Sequence, residues 1–393
     1  MKRFGFFFIF TLFMGSMVFA EKPHHSAELT QGGVKHVRRA VADWQMKHFY
    51  DSRKIKPGTS TQAQLDKRYD LRGWVYGTFY PGMMEWAKIS NSGKYMRFMK
   101  KVGRKNKWQM APRIYDADDY VVGQTYLDLF EKYKDKRMIA PLRAQFDKIL
   151  EDPPTGSLYF PPSKAERQAG KDCRDRWCWC DALFMGPPTW VELGIVTGEN
   201  KYIHFANKEF WATTEYLYDK SEGLYYRDSR YFNEREPNGR KVFWSRGNGW
   251  VFGGIARILE HLPADHPSRA AYVQIFQQMA KSLAKVQQRD GFWRASLLDP
   301  NKYTNPETSG TGFFVFGFAW GINNGVLDRD EYMKTVQKGW SALVSAVHKN
   351  GKLGWVQPIG KDPKSANADG SELYGPGSFL LAGAELYRLT SRP

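Results

Sequence analysis

The chain has 393 residues, 58 Lys and Arg against 41 Asp and Glu, a formal net charge of +17, and 14 Trp among its 16% aromatic residues. That length buries a large core, and no Pro/Gly/Ser-rich linker or low-complexity stretch divides it, so one domain is expected. The basic residues are scattered rather than gathered in one tract, and no nucleic-acid motif is present, so nucleic acid is not the expected partner. An acidic polysaccharide fits the charge better.

The chain opens on Lys2 and Arg3, continues with an apolar run from Phe4 to Phe19, and closes that run with Val18-Phe19-Ala20. This is the charge, core and small-residue order of a secretory signal peptide, so residues 1–20 are expected to be cleaved and 21–393 to form the exported domain, periplasmic or secreted. The run is too short and wrongly flanked for a membrane span, and no membrane association is expected. Loss of Lys2 and Arg3 takes the net charge to +15. Export permits a disulfide among Cys173, Cys178 and Cys180, and three thiols leave at least one unpaired. C-x4-C-x-C has no second ligand group at zinc spacing, so the cysteines read as structural.

Residues 33–50 place Val37, Ala40, Val41 and Trp44 on one helical stripe. Helices are then predicted in pairs: 70–90 with 93–103, 118–133 with 137–151, 182–197 with 199–218, 247–262 with 267–288, and 311–324 with 329–348. Helix 373–389 is left to pair with 33–50. Short links containing Gly93, Gly198 and Gly325 stop the first helix and force the second back antiparallel. The first helix of each pair is apolar nearly all round, as in Phe313–Trp320 and Leu380–Leu386, and should be buried. The second, such as 269–288, carries one apolar stripe and should face solvent. Six inner and six outer helices make an all-α (α/α)6 toroid.

A repeat underlies this order. A Gly followed shortly by an aromatic residue (Gly103…Trp108, Gly156–Tyr159, Gly223–Tyr225, Gly291–Trp293, Gly351…Trp355) opens a loop that ends at an inner helix. Those helices start near Asp118, Asp181, Gly247, Thr311 and Leu373, at intervals of 63, 66, 64 and 62 residues. Long loops such as 152–181 and 219–246 lead into the inner-helix N-termini, where function is expected to gather.

Asp70, Asp118, Asp119, Asp181, Arg246, Glu307 and Glu372 stand at those helix starts. Asp is also a favoured N-cap, so each acid has a structural alternative, but several converging on one mouth point to proton transfer. The eight His residues, at 24, 25, 36, 48, 204, 261, 266 and 348, lie elsewhere, which argues against a Ser–His–Asp arrangement and a His-rich metal site. No metal and no cofactor is expected. Trp108, Tyr115, Trp177, Trp179, Tyr225, Tyr226, Trp244, Trp250, Trp293, Trp355 and Tyr374 crowd the same loops, and aromatic faces suit sugar rings. Trp244-Ser245-Arg246-Gly247-Asn248-Gly249-Trp250 combines a helix N-terminus, open backbone N–H groups and a guanidinium, a plausible carboxylate receptor.

W-S-R-G-N-G-W at 244–250 and W-C-D-A-L-F-M-G-P-P at 179–188 resemble the unsaturated uronyl hydrolases of glycoside hydrolase family 105, relatives of family 88. P-E-T-S-G-T-G-F-F at 306–314 and Y-G-P-G-S-F-L-L at 374–381 are similar to that family's later signatures, so the likeness spans about residues 70–390. The resemblance implies an (α/α)6 barrel, Asp181 as general acid/base, Asp118 as the second essential acid with Asp119 the alternative placement, and Arg246 as the arginine for the substrate carboxylate. Trp244 and Trp250 match pocket-wall residues; Trp179 and Tyr374 are expected beside them. Some members carry a His about eleven residues before the catalytic Asp, where this chain reads Gly170-Lys171-Asp172. The implied partner is an unsaturated acidic oligosaccharide from rhamnogalacturonan or ulvan, whose 4,5-unsaturated uronic acid is removed by hydration of the double bond. A conventional inverting glycosidase, a polysaccharide lyase and a non-catalytic sugar-binding protein are the alternatives.

Overall fold

The structure, a computed structural model, describes residues 23–54, 61–161, 163–166 and 173–391; the predicted leader and Gly170–Asp172 lie outside them. The helices are α1 (Gln31–Lys47), α2 (Gln62–Arg68), α3 (Trp74–Gly77), α4 (Tyr80–Ile89), α5 (Gly93–Lys105), α6 (Val122–Tyr133), α7 (Ala140–Glu151), α8 (Lys164–Glu166), α9 (Ala182–Met185), α10 (Pro187–Thr197), α11 (Asn200–Leu217), α12 (Ser245–His261), α13 (Arg269–Val286), α14 (Thr308–Asn323), α15 (Arg329–Ser345) and α16 (Tyr374–Leu389). A short antiparallel pair, β1 (Tyr218–Asp219) and β2 (Leu224–Tyr225), joins α11 to the loop before α12.

Burial separates the helices into two rings. Every residue of α14 is buried, as an all-round apolar sequence requires, whereas α15 buries one face through Tyr332, Val336, Trp340 and Leu343. Helices α4, α6, α10, α12, α14 and α16 touch in that order, and α16 returns to α4. Outside them, α5 packs on α4, α11 on α10, α13 on α12, α15 on α14, and α1 on α16. The predicted toroid is therefore present, closed by the first and last helices. Its seam is a crossing of small residues: a Cβ on Gly82 of α4 would lie 2.2 Å from the Gly377 carbonyl of α16.

Two predicted inner helices are broken. The 70–90 element divides into α3 and α4, and 182–197 divides at Gly186, where Pro187 and Pro188 open α10. Proline lacks the N–H for a helix interior but suits a first turn, so the breaks are local chemistry. The 118–133 element begins as a 3-10 turn, Ala117–Asp119, and α12 and α14 start earlier than expected, at Ser245 and Thr308.

The repeated Gly–aromatic openings fix where inner helices begin. Trp293 N–H donates to Thr311 Oγ1 of α14 at 3.1 Å, and Tyr225 exchanges bonds with Asn248 of α12 at 2.8 and 3.0 Å. Thr308 N–H in turn donates to the Trp355 carbonyl at 2.9 Å. Gly291 and Gly351 have φ of 89° and 91°, and a Cβ on either would strike a backbone carbonyl of an outer helix. Asn248 of the Trp244–Trp250 segment thus has a structural duty.

The end of the ring where the inner helices finish holds a buried ion network. Lys88 donates to Glu85 at 2.7 Å and Asp128 at 2.8 Å; Arg388 pairs with Glu85 and Glu385; Arg257 donates to Glu260 at 2.6 Å. Asp128, Glu131 and Glu192 crowd carboxylate oxygens within 4.8 Å there, with Arg257 3.8 Å from Asp128. Cys173 and Cys178 form a disulfide, and Cys180 is free and buried.

Candidate active site

The acids at the opposite end divide into those already occupied and those available. Glu307 caps α14, accepting from Ser309 N–H at 2.9 Å and Gly310 N–H at 2.7 Å. Asp70 holds Arg72 through its backbone and guanidinium, and Glu372 accepts from the Tyr69 hydroxyl at 3.2 Å. Asp119 is buried and clasped by Arg113, whose backbone N–H donates at 2.8 Å and whose Nε donates at 3.1 Å. Asp116 caps the 3-10 turn and also pairs with Arg113. Asp181 occupies the N-cap position of α9, yet its side chain makes no capping bond. Asp118 stands 4.0 Å from Arg113 Nη2, with a fifth of its side chain exposed.

Burial pushes the Asp118 carboxyl well above the usual range, reinforced by Asp116, opposed by Arg113 and reinforced again by Asp181. Burial also raises Asp181, against the pull of Arg227 and Arg246. Each therefore holds its proton more tightly than a free carboxylic acid, and Asp181 is one of the charges that raise Asp118. Arg227 Nε lies 3.4 Å from Asp181 Oδ2, and the Cys180 thiol points at the same oxygen from 3.6 Å. Burial and Asp181 keep that thiol protonated, so it stays a weak donor.

Arg246 is fully buried and flat between Trp244 and Tyr374, with centroids 4.5 and 4.6 Å from its guanidinium carbon. Its Nη1 and Nη2 donate to the Gln357 and Pro358 carbonyls at 2.8 and 3.0 Å, and Nε has no hydrogen-bond partner among the described residues. Trp244 Nε1 donates to Gln357 Oε1 at 2.9 Å, and the Tyr374 hydroxyl donates to the Gln357 carbonyl at 2.6 Å. Asp181 feels Arg246 across the mouth, so the structure brings Asp118, Asp181, Arg246, Trp244 and Tyr374 together. Trp179 is buried beside Asp181 in sequence, and Trp250 is buried against Phe184 and Phe313.

Sequence reasoning missed three features. Arg227 and its neighbours Asp228 and Arg230 sit in the long loop before α12, and their only signal is two arginines flanking an acid ahead of the Trp244 motif. Trp74 is half-buried, stacks on Tyr374 at 5.6 Å, and lines a cleft of about 890 Å³ with Arg113, Asp119, Arg174 and Ile359. Its clue is the same as for the other aromatics, a Gly-Trp step at an inner-helix start. The third is the 357–363 segment, which carries the carbonyls holding Arg246, places Ile359 on this cleft, and lends Lys361–Pro363 to a second cleft of about 320 Å³.

The profile of Glycosyl Hydrolase Family 88 matches residues 37–390. The "Unsaturated 3S-rhamnoglycuronyl hydrolase" of Alteromonas sp. (strain LOR) is 40% identical over 370 residues, covering 93% of this chain and 87% of the relative. A protein of the same name from Formosa agariphila is 38% identical over 326 residues, 80% and 84% of the two chains. The solved "Glycosyl hydrolase family 88 from Bacteroides vulgatus" superposes with a TM-score of 0.78 at 30% identity, over 91% of this chain and 99% of that one. Carboxyls left available at the mouth of a helical toroid, read beside these matches, lead to one assignment: the chain belongs to Glycosyl Hydrolase Family 88 and is a glycoside hydrolase.

Proposed function

We propose that the enzyme removes a 4,5-unsaturated uronic acid from the non-reducing end of lyase-generated oligosaccharides, with a sulfated, rhamnose-linked fragment of the ulvan type as substrate. The observation that carries the reaction is the state of two carboxyls: among the described residues Asp118 and Asp181 neither cap a helix nor accept a hydrogen bond from an arginine, and both hold protons more tightly than usual. The names of the two relatives support the sulfated substrate, and a net charge of +17 favours a polyanion. The Trp244–Trp250 motif supports placement in family 105 within this group, and Lys2-Arg3 with the apolar run behind them supports export.

Asp181 in its acid form protonates C4 of the vinyl ether. The positive charge develops at C5 and is shared with the ring oxygen. Water adds to C5, and its proton passes to the carboxylate that Asp181 has become, directly or relayed through Asp118. The resulting hemiketal opens, and the C1–oxygen bond to the next sugar then breaks. One water is consumed and the acid is regenerated. Arg246 keeps the uronate role that the resemblance implies through charge and Nε alone, since the Gln357 and Pro358 carbonyls already hold both Nη groups and exclude a two-pronged grip, and Trp74 is assigned to the face of the sugar chain. The reaction needs a carboxyl still protonated near neutral pH, the state that burial favours here.

The test is to follow alkene absorbance on lyase digests of ulvan, rhamnogalacturonan and glycosaminoglycan. Absorbance is expected to fall fastest with ulvan fragments and to persist with Asp181→Asn. Release of sugar from saturated oligosaccharides with no effect on the alkene would establish a conventional inverting glycosidase instead.

A further inference from the structure

The turn at 227–230 is built around one buried carboxylate. Asp228 is fully buried and accepts from Arg227 Nη1 at 2.6 Å and from Arg230 Nε and Nη2 at 2.8 and 2.7 Å. Both guanidiniums lie over Phe160, Arg230 at 3.9 Å and Arg227 at 5.4 Å from its centroid. Two arginines therefore share one acid and one ring, held with little rotamer freedom. Nη1 of Arg230 and Nη2 of Arg227 have no hydrogen-bond partner among the described residues.

Lys361 approaches the same turn from the 357–363 segment. Its ammonium makes no hydrogen bond or ion pair with a described residue, and neighbouring Asp362 lies 3.5 Å from Lys364. Burial and then Arg230 push the Lys361 amine below its ordinary value, with Asp362 and Asp228 opposing and Arg227 adding to the effect. Three cations thus face two carboxylates, and Asp181, the acid beside Arg227, is neutral when it carries its proton. Like charges held together without a matching anion are unfavourable. Arg230, Lys361 and Asp362 line the second cleft with Arg235, Lys302, Glu234 and Glu236; Lys302 is paired with Glu236 at 2.9 Å, which leaves Arg230, Arg235 and Lys361 against Glu234 and Asp362.

We propose that Arg227, Arg230 and Lys361 form a subsite for the sulfate ester on the sugar adjoining the unsaturated uronic acid. The inference rests on the reaction proposed above and names what that reaction selects. Position carries the assignment to the second sugar: Arg230, which lines the cleft, shares Asp228 with Arg227, and Arg227 Nε lies 3.4 Å from Asp181, so the cleft adjoins the catalytic acid without containing it. Shape carries the choice of anion. A planar carboxylate matches one arginine fork, whereas separate donors from Arg230 and Lys361 on one cleft, with Arg227 over the same Phe160 ring as Arg230, suit the three free oxygens of a sulfate ester.

Two measurements on a matched pair of unsaturated disaccharides, with and without the rhamnose 3-sulfate, test this. In steady-state kinetics the wild type should favour the sulfated member through KM, and Lys361→Met should collapse that preference by about tenfold while Lys361→Arg restores it. In calorimetry with Asp181→Asn, which reads binding without turnover, the sulfated disaccharide should bind about tenfold tighter, and adding Lys361→Met should erase the difference. Equal affinity for the pair overturns the subsite, as does tighter binding of a disaccharide carrying a second uronate in place of the sulfate. Wild type that leaves both alkenes intact overturns the hydrolase reading, while the calorimetric result still decides the subsite.

Discussion

Where α4, α12 and α16 terminate, Glu85 lies between Lys88 and Arg388, and Arg257 is bonded to Glu260. Where the inner helices begin, Asp181 has an arginine 3.4 Å away and Asp118 has one at 4.0 Å, and neither accepts a hydrogen bond from a cation among the described residues. Burial alone would raise the Glu85 carboxyl, but Lys88, Arg388 and Arg257 bring it far below the usual range; at the mouth, burial prevails and both carboxyls go up. The two ends contain similar groups at similar depth. At the closed end Glu85 is matched by cations of the chain, although burial still raises Glu192 and Glu385 beside it; at the mouth neither Asp118 nor Asp181 is matched in that way, and a substrate can reach them.

The largest test of that contrast is Asp181→Asn. Turnover should fall about a thousandfold, the scale of a lost general acid. Stability should hold or rise, because a carboxyl with a higher pKa folded than unfolded disfavours folding once pH exceeds the unfolded value. A thermal melt in which the variant is severely destabilised would place Asp181 in the structural class with Glu85. The converse variant, Glu85→Ala, should cost about 1–3 kcal/mol by denaturant titration, since it removes a buried partner from Lys88 and Arg388 while Asp128 and Glu385 still hold them. The folded enzyme should still turn over. Because the Glu85 pKa is lowered on folding, its stabilisation is present above the ordinary carboxyl range and lost as pH falls, so the Glu85→Ala deficit should shrink in acid. A deficit that stays constant with pH would refute the paired-charge account of that end.

A smaller effect is expected from Arg227→Met. Arg227 pulls the Asp181 carboxyl down, so its removal lets burial raise Asp181 further. Activity requires the acid form and falls as pH rises through that value. The alkaline limb of the pH–rate profile should therefore move up by about one unit. A limb that stays in place would mean that Asp181 is not the group being titrated.

The toroid was legible because its signal is redundant: five intervals-in-register openings and an apolar helix after each survive small errors in any one boundary. The breaks at Gly186-Pro187 and after Gly77 are local and were submerged in otherwise continuous apolar runs. The candidate acids were legible as a set but not as individuals. Asp118 and Asp119 are adjacent in sequence, and only the placement of Arg113 shows that Asp119 is clasped while Asp118 is left. Glu307 and Asp181 both precede inner helices, and only the first bends back to cap its own. Arg227 carries no periodicity, so among scattered basic residues it becomes distinct only when folding sets it against Asp181.

The central claim is that Asp181 delivers a proton to C4 rather than assisting displacement at the anomeric carbon. Running the reaction in deuterium oxide and examining the released uronic acid by NMR tests it directly. The account predicts one deuterium at C4, with loss of the alkene matching release of the second sugar one for one, and neither event in Asp181→Asn. Release of a uronic acid with its double bond intact and no deuterium at C4 would contradict it.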